Sequence, residues 1–191
     1  MAASVMIAVG DVQPIIEKMV AETNAMTLGE DMGSIINPQS RERIEGFITD
    51  AESRGARVLV DGRGATVNGQ PGDWVGPTII DHVTPEMPCA SEEIFGPVLS
   101  IIGYEDEEDA VRIANDTRYG LSGYVSSGDL DRARNVARRV RTGMVHLNGA
   151  PLDPKAPFGG YKESGVGREW GHYGFDDFLE VKSIYGYAAK A

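Results

Sequence analysis

Three short apolar runs decide the fold: Pro97-Val-Leu-Ser-Ile-Ile-Gly-Tyr104, Leu121-Ser-Gly-Tyr-Val-Ser126 and Met144-Val-His-Leu-Asn148. The stretches between them read as helices. The first, about Glu105 to Asn115, opens on the acidic run Glu105-Asp-Glu-Glu-Asp109, and carboxylates at a helix start complement the positive end of its dipole. The second runs from about Asp129 to Arg141. Strand, helix, strand, helix, strand predicts right-handed βαβ crossovers. The expected fold is therefore α/β, a mostly parallel sheet flanked by helices.

Upstream of these runs, Val12, Ile15, Ile16, Met19 and Val20 recur at helical spacing, with Asp11 as the expected N-cap and Pro14 in the first turn. The apolar segment Met1 to Gly10 reads as a buried strand. It has no basic lead-in of the kind a secretory signal needs, and it is too short to span a bilayer. A break from Gly29 to Asn37 precedes a helix that starts after Asn37-Pro38, carries Ile44, Phe47, Ile48 and Ala51 on one face, and stops near Gly55. Arg57 to Val60 reads as a short strand. Asp61 to Gly76, punctuated by Gly62, Gly64, Gly69, Pro71 and Gly72, reads as a loop or loose hairpin. At the far end, Phe178 to Tyr187 alternates like a strand near the surface. The expectation is one α/β domain with a C-terminal extension.

The chain's 191 residues are enough for a real core. With 18 basic and 29 acidic residues the formal charge is −11, which argues against nucleic acid or an anionic membrane as partner. The apolar fraction of 41% lies close to the globular average and argues against disorder. A single cysteine excludes an intrachain disulfide and fits a reducing compartment. That cysteine, Cys89, lies among Glu86, Glu92 and Glu93, a setting that disfavours a thiolate, so it reads as a packing residue. His82, His146 and His172 lack the paired spacing of a metal site. Gly165-Val-Gly167 has no strand directly before it, as a dinucleotide-binding turn requires.

Two segments are denser in chemistry. Ser91-Glu-Glu-Ile-Phe-Gly-Pro-Val98 reads either as a capped turn feeding a core strand or as a polar hook and aromatic plate at the mouth of an α/β sheet. Ala156 to Glu169 holds Gly159, Gly160, Gly165 and Gly167 with Phe158 as an apolar contact, the composition of a long loop with specific turn chemistry.

These segments resemble the aldehyde dehydrogenase superfamily, NAD(P)-dependent enzymes that oxidise aldehydes through a thioester. The resemblance covers nearly the whole chain: Gly76-Pro-Thr78, Glu92-Glu-Ile-Phe-Gly-Pro97, Ala114-Asn-Asp-Thr-Arg-Tyr-Gly-Leu121, Arg132-Ala133, Gly143-Met-Val-His-Leu-Asn148, Pro157-Phe-Gly-Gly-Tyr-Lys162, Ser164-Gly-Val-Gly-Arg-Glu169 and Leu179-Glu-Val-Lys182. It implies that Glu93 accepts hydrogen bonds from the nicotinamide ribose hydroxyls and that Phe95 lies beside the nicotinamide ring. It further implies that Leu152 and Phe158 line the aldehyde tunnel, and that Arg168 and Glu180 form a pair tying the active-site loop to a subunit interface.

The same resemblance puts the family's nucleophilic cysteine just before a small-residue run like Met1-Ala-Ala-Ser4, and its general base and dinucleotide fold further upstream. No catalytic residue is therefore expected in this chain. It reads as the C-terminal part of an NAD- or NADP-dependent enzyme, inactive and without bound cofactor on its own, that in complete form oxidises an aldehyde to an acid or thioester. The other reading is a catalytically dead remnant serving as an oligomerisation or interaction module. Residues 1–178 would be part of the catalytic domain and residues 179–191 an oligomerisation strand, giving a cytoplasmic homo-oligomer with no metal.

Overall fold

A computed structural model describes residues 3–186 and resolves into two compact units, Met1–Thr117 and Arg118–Ala191. The first is built from β1 (Val5–Val9), α1 (Gln13–Ala25), α2 (Pro38–Ser53), β2 (Arg57–Val60), β3 (Thr78–Asp81), α3 (Pro88–Ser91), β4 (Val98–Tyr104) and α4 (Glu107–Asn115). The second holds β5 (Ser122–Val125), α5 (Leu130–Arg139), β6 (Met144–Leu147) and two 3₁₀ turns, Lys162–Ser164 and Tyr173–Phe178.

The sheet of the first unit has the order β1-β4-β3-β2. β4 is central, parallel to β1 on one side and to β3 on the other, while β2 pairs antiparallel to β3 with a bulge between Val58 and Val60. Successive residues of a strand point to opposite faces, so the doublets Ile79-Ile80 and Ile101-Ile102 are shared between two cores. Ile79 and Ile101 join Ala8 and Ile16 on the α1 side. Ile80 and Ile102 join Ile44, Ile48 and Ala51 of α2 on the other. Helices on both faces account for strands that are apolar throughout.

Local chemistry sets the helix starts. The Asn37 side chain accepts from the Ser40 amide at 2.8 Å, with Pro38 at the first helical position. Asp106 accepts from the Glu108 amide at 2.8 Å, and Glu107, Glu108 and Asp109 fill the first turn of α4, as the acidic run predicts. Asp129 caps α5 through the amides of Asp131 and Arg132. At α1 the expected cap is displaced by one residue. Val12 occupies the cap position, and Asp11 instead accepts from the Gln13 amide at 3.1 Å.

The α/β fold stands, with three corrections to the expected topology. β3 was hidden behind the glycine-rich stretch and is a full member of the sheet. The crossover β5-α5-β6 is a parallel pair, Ser122↔Met144 to Val125↔Leu147, but β4 and β5 do not share a sheet. The physical reason is valence: both edges of β4 are taken by β1 and β3. Lastly, Leu179–Gly186 makes no ladder among the described residues, and Phe178 closes a 3₁₀ turn instead of opening a strand. A strand needs a partner edge, and this segment has none among the described residues. Tyr187 lies outside the described residues, as do Met1 and Ala2 of the N-terminal apolar run. No described helix is long and apolar enough to cross a membrane.

Candidate functional site

The segment Glu92–Pro97 leaves the one-turn helix α3 and enters β4. Cys89 on α3 is buried, and loss of solvent around its sulfur pushes the thiol up from its ordinary pKa. The inert reading of Cys89 agrees with this placement, but the main cause is burial rather than the neighbouring glutamates; the carboxylate that adds to it is Asp50. Ile94 is buried at the base of the loop, whereas Glu93 and Phe95 on either side of it are exposed, Phe95 to 83%. Alternation about one buried anchor turns both flanking side chains outward.

The backbone here is far from relaxed. Phe95 has φ = 56°, in the left-handed region that bulky residues avoid. The next residue must be glycine for a different reason: a Cβ on Gly96 would sit 2.6 Å from Cδ1 of Ile44 on α2. The Thr78 amide donates to the Pro97 carbonyl at 2.8 Å, locking the loop's exit to β3. Thr78 also explains the Gly76-Pro-Thr78 motif. Its buried hydroxyl accepts from the Gly62 amide at 3.0 Å and donates to the Gly76 carbonyl at 3.2 Å, pinning a close approach of two glycines.

One participant escaped the sequence reading. Arg43 of α2 donates through Nη1 to the carbonyl of Ile94 at 2.7 Å and through Nη2 to the carbonyl of Glu93 at 2.5 Å. Its guanidinium lies 4.9 Å from the centre of the Phe47 ring, one helical turn on. An arginine fifty residues away in sequence leaves no local signal. Beside the loop an open, mainly apolar groove of about 450 Å³ is lined by Ile15, Met19, Pro77, Gly96, Pro97 and others.

In the second unit, Phe158 and Glu169 exchange backbone hydrogen bonds of 2.7 Å each way, closing the loop between them. Phe158 is half-buried against Trp170, ring centres 5.0 Å apart, and Leu152 is exposed. Arg168 and Glu180 are not ion-paired within the chain. The Arg168 guanidinium is spent on the carbonyls of Gly160 at 2.8 Å and Gly167 at 2.9 Å, and it lies over the Tyr161 ring. Asn148 closes the other glycine-rich motif, accepting from the Ser127 amide at 2.9 Å and donating to its carbonyl at 3.0 Å. Among the described residues no group of three His, Cys, Asp or Glu could hold a metal ion.

The scaffolded loop thus turns a carboxylate, Glu93, and an aromatic, Phe95, outward at the amino end of β4. Residues 1–184 match the family model described as "Aldehyde dehydrogenase family". The chain belongs to the aldehyde dehydrogenase family. It is 52% identical over 157 residues to 3-succinoylsemialdehyde-pyridine dehydrogenase of a Pseudomonas species, covering 82% of this chain and 33% of that protein. Among solved structures it resembles a variant of aldehyde dehydrogenase C from Pseudomonas syringae, complexed with NAD+ and octanal, at 38% identity and a TM-score of 0.91 over 100% of this chain and 41% of the other. It also resembles a Mycobacterium tuberculosis aldehyde dehydrogenase complexed with NAD+, at 36% identity and a TM-score of 0.86 over 97% and 40%. The chain thus spans about a third of the length of the curated relative it matches.

Proposed function

We propose that this chain is the C-terminal part of an NAD(P)-dependent aldehyde dehydrogenase acting in the cytoplasm, supplying the nicotinamide-ribose contact and one wall of the aldehyde tunnel. The carrying observation is the loop Glu92–Pro97, where an exposed carboxylate and an exposed, strained aromatic flank a buried anchor. Solved relatives complexed with NAD+ support a nicotinamide cofactor for the complete enzyme. The donor chemistry fits that group: Glu93 accepts from two vicinal ribose hydroxyls, and the Phe95 ring limits where a flat heterocycle lies. Held by Glu93 and Phe95, a nicotinamide would supply the hydride acceptor for aldehyde oxidation.

Leu152 and Phe158 are the tunnel residues of this reading, and Arg168 and Glu180 belong to its subunit interface. Residues 1–178 form part of the catalytic domain and residues 179–191 the oligomerisation strand. Covalent aldehyde oxidation needs an activated thiolate. The chain's one cysteine, Cys89, is buried with its thiol pKa raised. The chemistry therefore depends on residues beyond these 191.

The test is direct. The purified chain, incubated with NAD and a panel of aldehydes, is expected to give no NADH absorbance above a heat-killed control. The same chain replacing the matching segment of the Pseudomonas relative is expected to give turnover. Turnover by the isolated chain overturns the proposal, and a silent but folded chimera supports the dead-remnant reading instead.

A further inference from the structure

An exposed aromatic side chain held at φ = 56° needs an external cause, because such a conformation persists only where the surroundings over-determine it. Burial of its own ring is not that cause, since Phe95 is largely in solvent. The constraints come from both neighbours. On the C-terminal side, Gly96 is pressed against Ile44, a residue with no exposed surface at all. On the N-terminal side, the two peptide carbonyls that precede Phe95, those of Glu93 and Ile94, both accept hydrogen bonds from the Arg43 fork. The guanidinium itself is steadied by the Phe47 ring. One planar group bonded to two successive carbonyls fixes the orientation of both peptide planes.

We propose that Arg43 is a positioning residue for the cofactor contact: by clamping the carbonyls of Glu93 and Ile94 it holds Phe95 left-handed and sets the direction in which Glu93 and Phe95 face their ligand. This rests on the reading of Glu93 and Phe95 as the nicotinamide-ribose contact. The clamp depends on geometry as well as charge. Arginine presents several N–H groups in a rigid plane, whereas the lysine ammonium is a compact point donor on a flexible stem. Lysine at position 43 keeps the charge and loses the fixed two-carbonyl orientation.

Two measurements test it. In the 191-residue protein, chymotryptic cleavage of the Phe95–Gly96 bond is followed by mass spectrometry, with cleavage after Phe178 as the internal reference. Arg43→Met is expected to raise the initial rate at Phe95 about tenfold and leave that at Phe178 unchanged, with Arg43→Lys in between. An unchanged rate at Phe95, or an equal rise at both bonds in both variants, overturns the clamp.

In the chimera with the Pseudomonas relative, Glu93→Gln and Arg43→Met are each expected to lower kcat/KM for NAD about tenfold, and the double variant no further than the worse single. Additive losses show that Arg43 does not act through Glu93 and overturn the proposal. A wild-type rate for Glu93→Gln overturns the cofactor reading and the functional half of the proposal with it, even where proteolysis shows the clamp.

Discussion

Phe95 and Phe178 expose the same fraction of their surface, 83%, yet they stand in opposite kinds of structure. Phe95 rises from a frame of buried residues, Ile44, Ile94 and Val98, and its own backbone is strained. Phe178 ends a 3₁₀ turn and opens a run of exposed apolar residues, Leu179, Val181, Ile184 and Tyr185, with no buried residue among them. The first is a single side chain presented by a rigid support. The second is a run of apolar side chains without a rigid support beneath it. The contrast extends to the two units. Nearly all the buried apolar side chains belong to residues 3–117, and Ala133 is the one buried hydrophobic residue described in 118–186. The second unit is held by backbone packing: a Cβ on Gly143 would fall 1.7 Å from the Gly159 oxygen.

The largest expected effect lies in the uncovered segment. A segment that makes no ladder among the described residues is a template for strand addition. The intact chain is expected to form a homo-oligomer, a dimer in the simplest case, through residues 179–191. A chain ending at Lys182 is expected to be monomeric. Light scattering at micromolar concentration reads the difference, and loss of a micromolar dimer corresponds to about 8 kcal/mol of association free energy. A monomeric intact chain, or an oligomer that survives the truncation, breaks the view of this segment as an interface.

The two units should also fail in opposite ways. Ile44→Ala empties a fully buried site and is expected to cost about 2–5 kcal/mol in chemical denaturation. Gly143→Ala fills a space that does not exist and is expected to cost about 1–3 kcal/mol, with hydrogen-exchange protection lost in residues 118–186. Gly103→Ala, where nothing lies within 4 Å of the new methyl, is the neutral control. A harmless Gly143→Ala would mean that backbone contact is not what holds the second unit.

The split explains what the sequence made legible. Periodicity and capping are local, so α2, α4, α5, β2, β4 and β6 stood close to their expected places. β3 was missed because a four-residue strand with only two apolar members, Ile79 and Ile80, after a glycine-rich loop carries too short a pattern to separate strand from loop. The shared sheet expected for β4 and β5 failed because edge occupancy is a property of the whole assembly. Motif resemblance singled out Glu93 and Phe95 as candidates, but Arg43 is joined to their loop only through space, and on a helix it looks like any solvated arginine. The positive φ of Phe95 was equally invisible, because the residue there is not the glycine or asparagine that usually announces one.

The smallest predicted effect isolates that strain. At an exposed position with ordinary negative φ, alanine is more stabilising than glycine by about 0.4–1 kcal/mol, since it restricts the unfolded chain. At φ = 56° the Cβ carries a steric cost of about 1–2 kcal/mol that glycine lacks. The two terms oppose each other, and the steric one is larger. Phe95→Gly is therefore expected to be more stable than Phe95→Ala by about 0.5–1 kcal/mol. Phe178, equally exposed but without positive φ, is expected to show the reverse order, alanine above glycine. Because both phenylalanines lose little burial, the side chain removed cancels within each pair and only the backbone preference remains. Denaturation midpoints of the four variants decide it. The same order at both sites would show that Phe95 is no more strained than Phe178, and the need for a clamp at Arg43 would disappear.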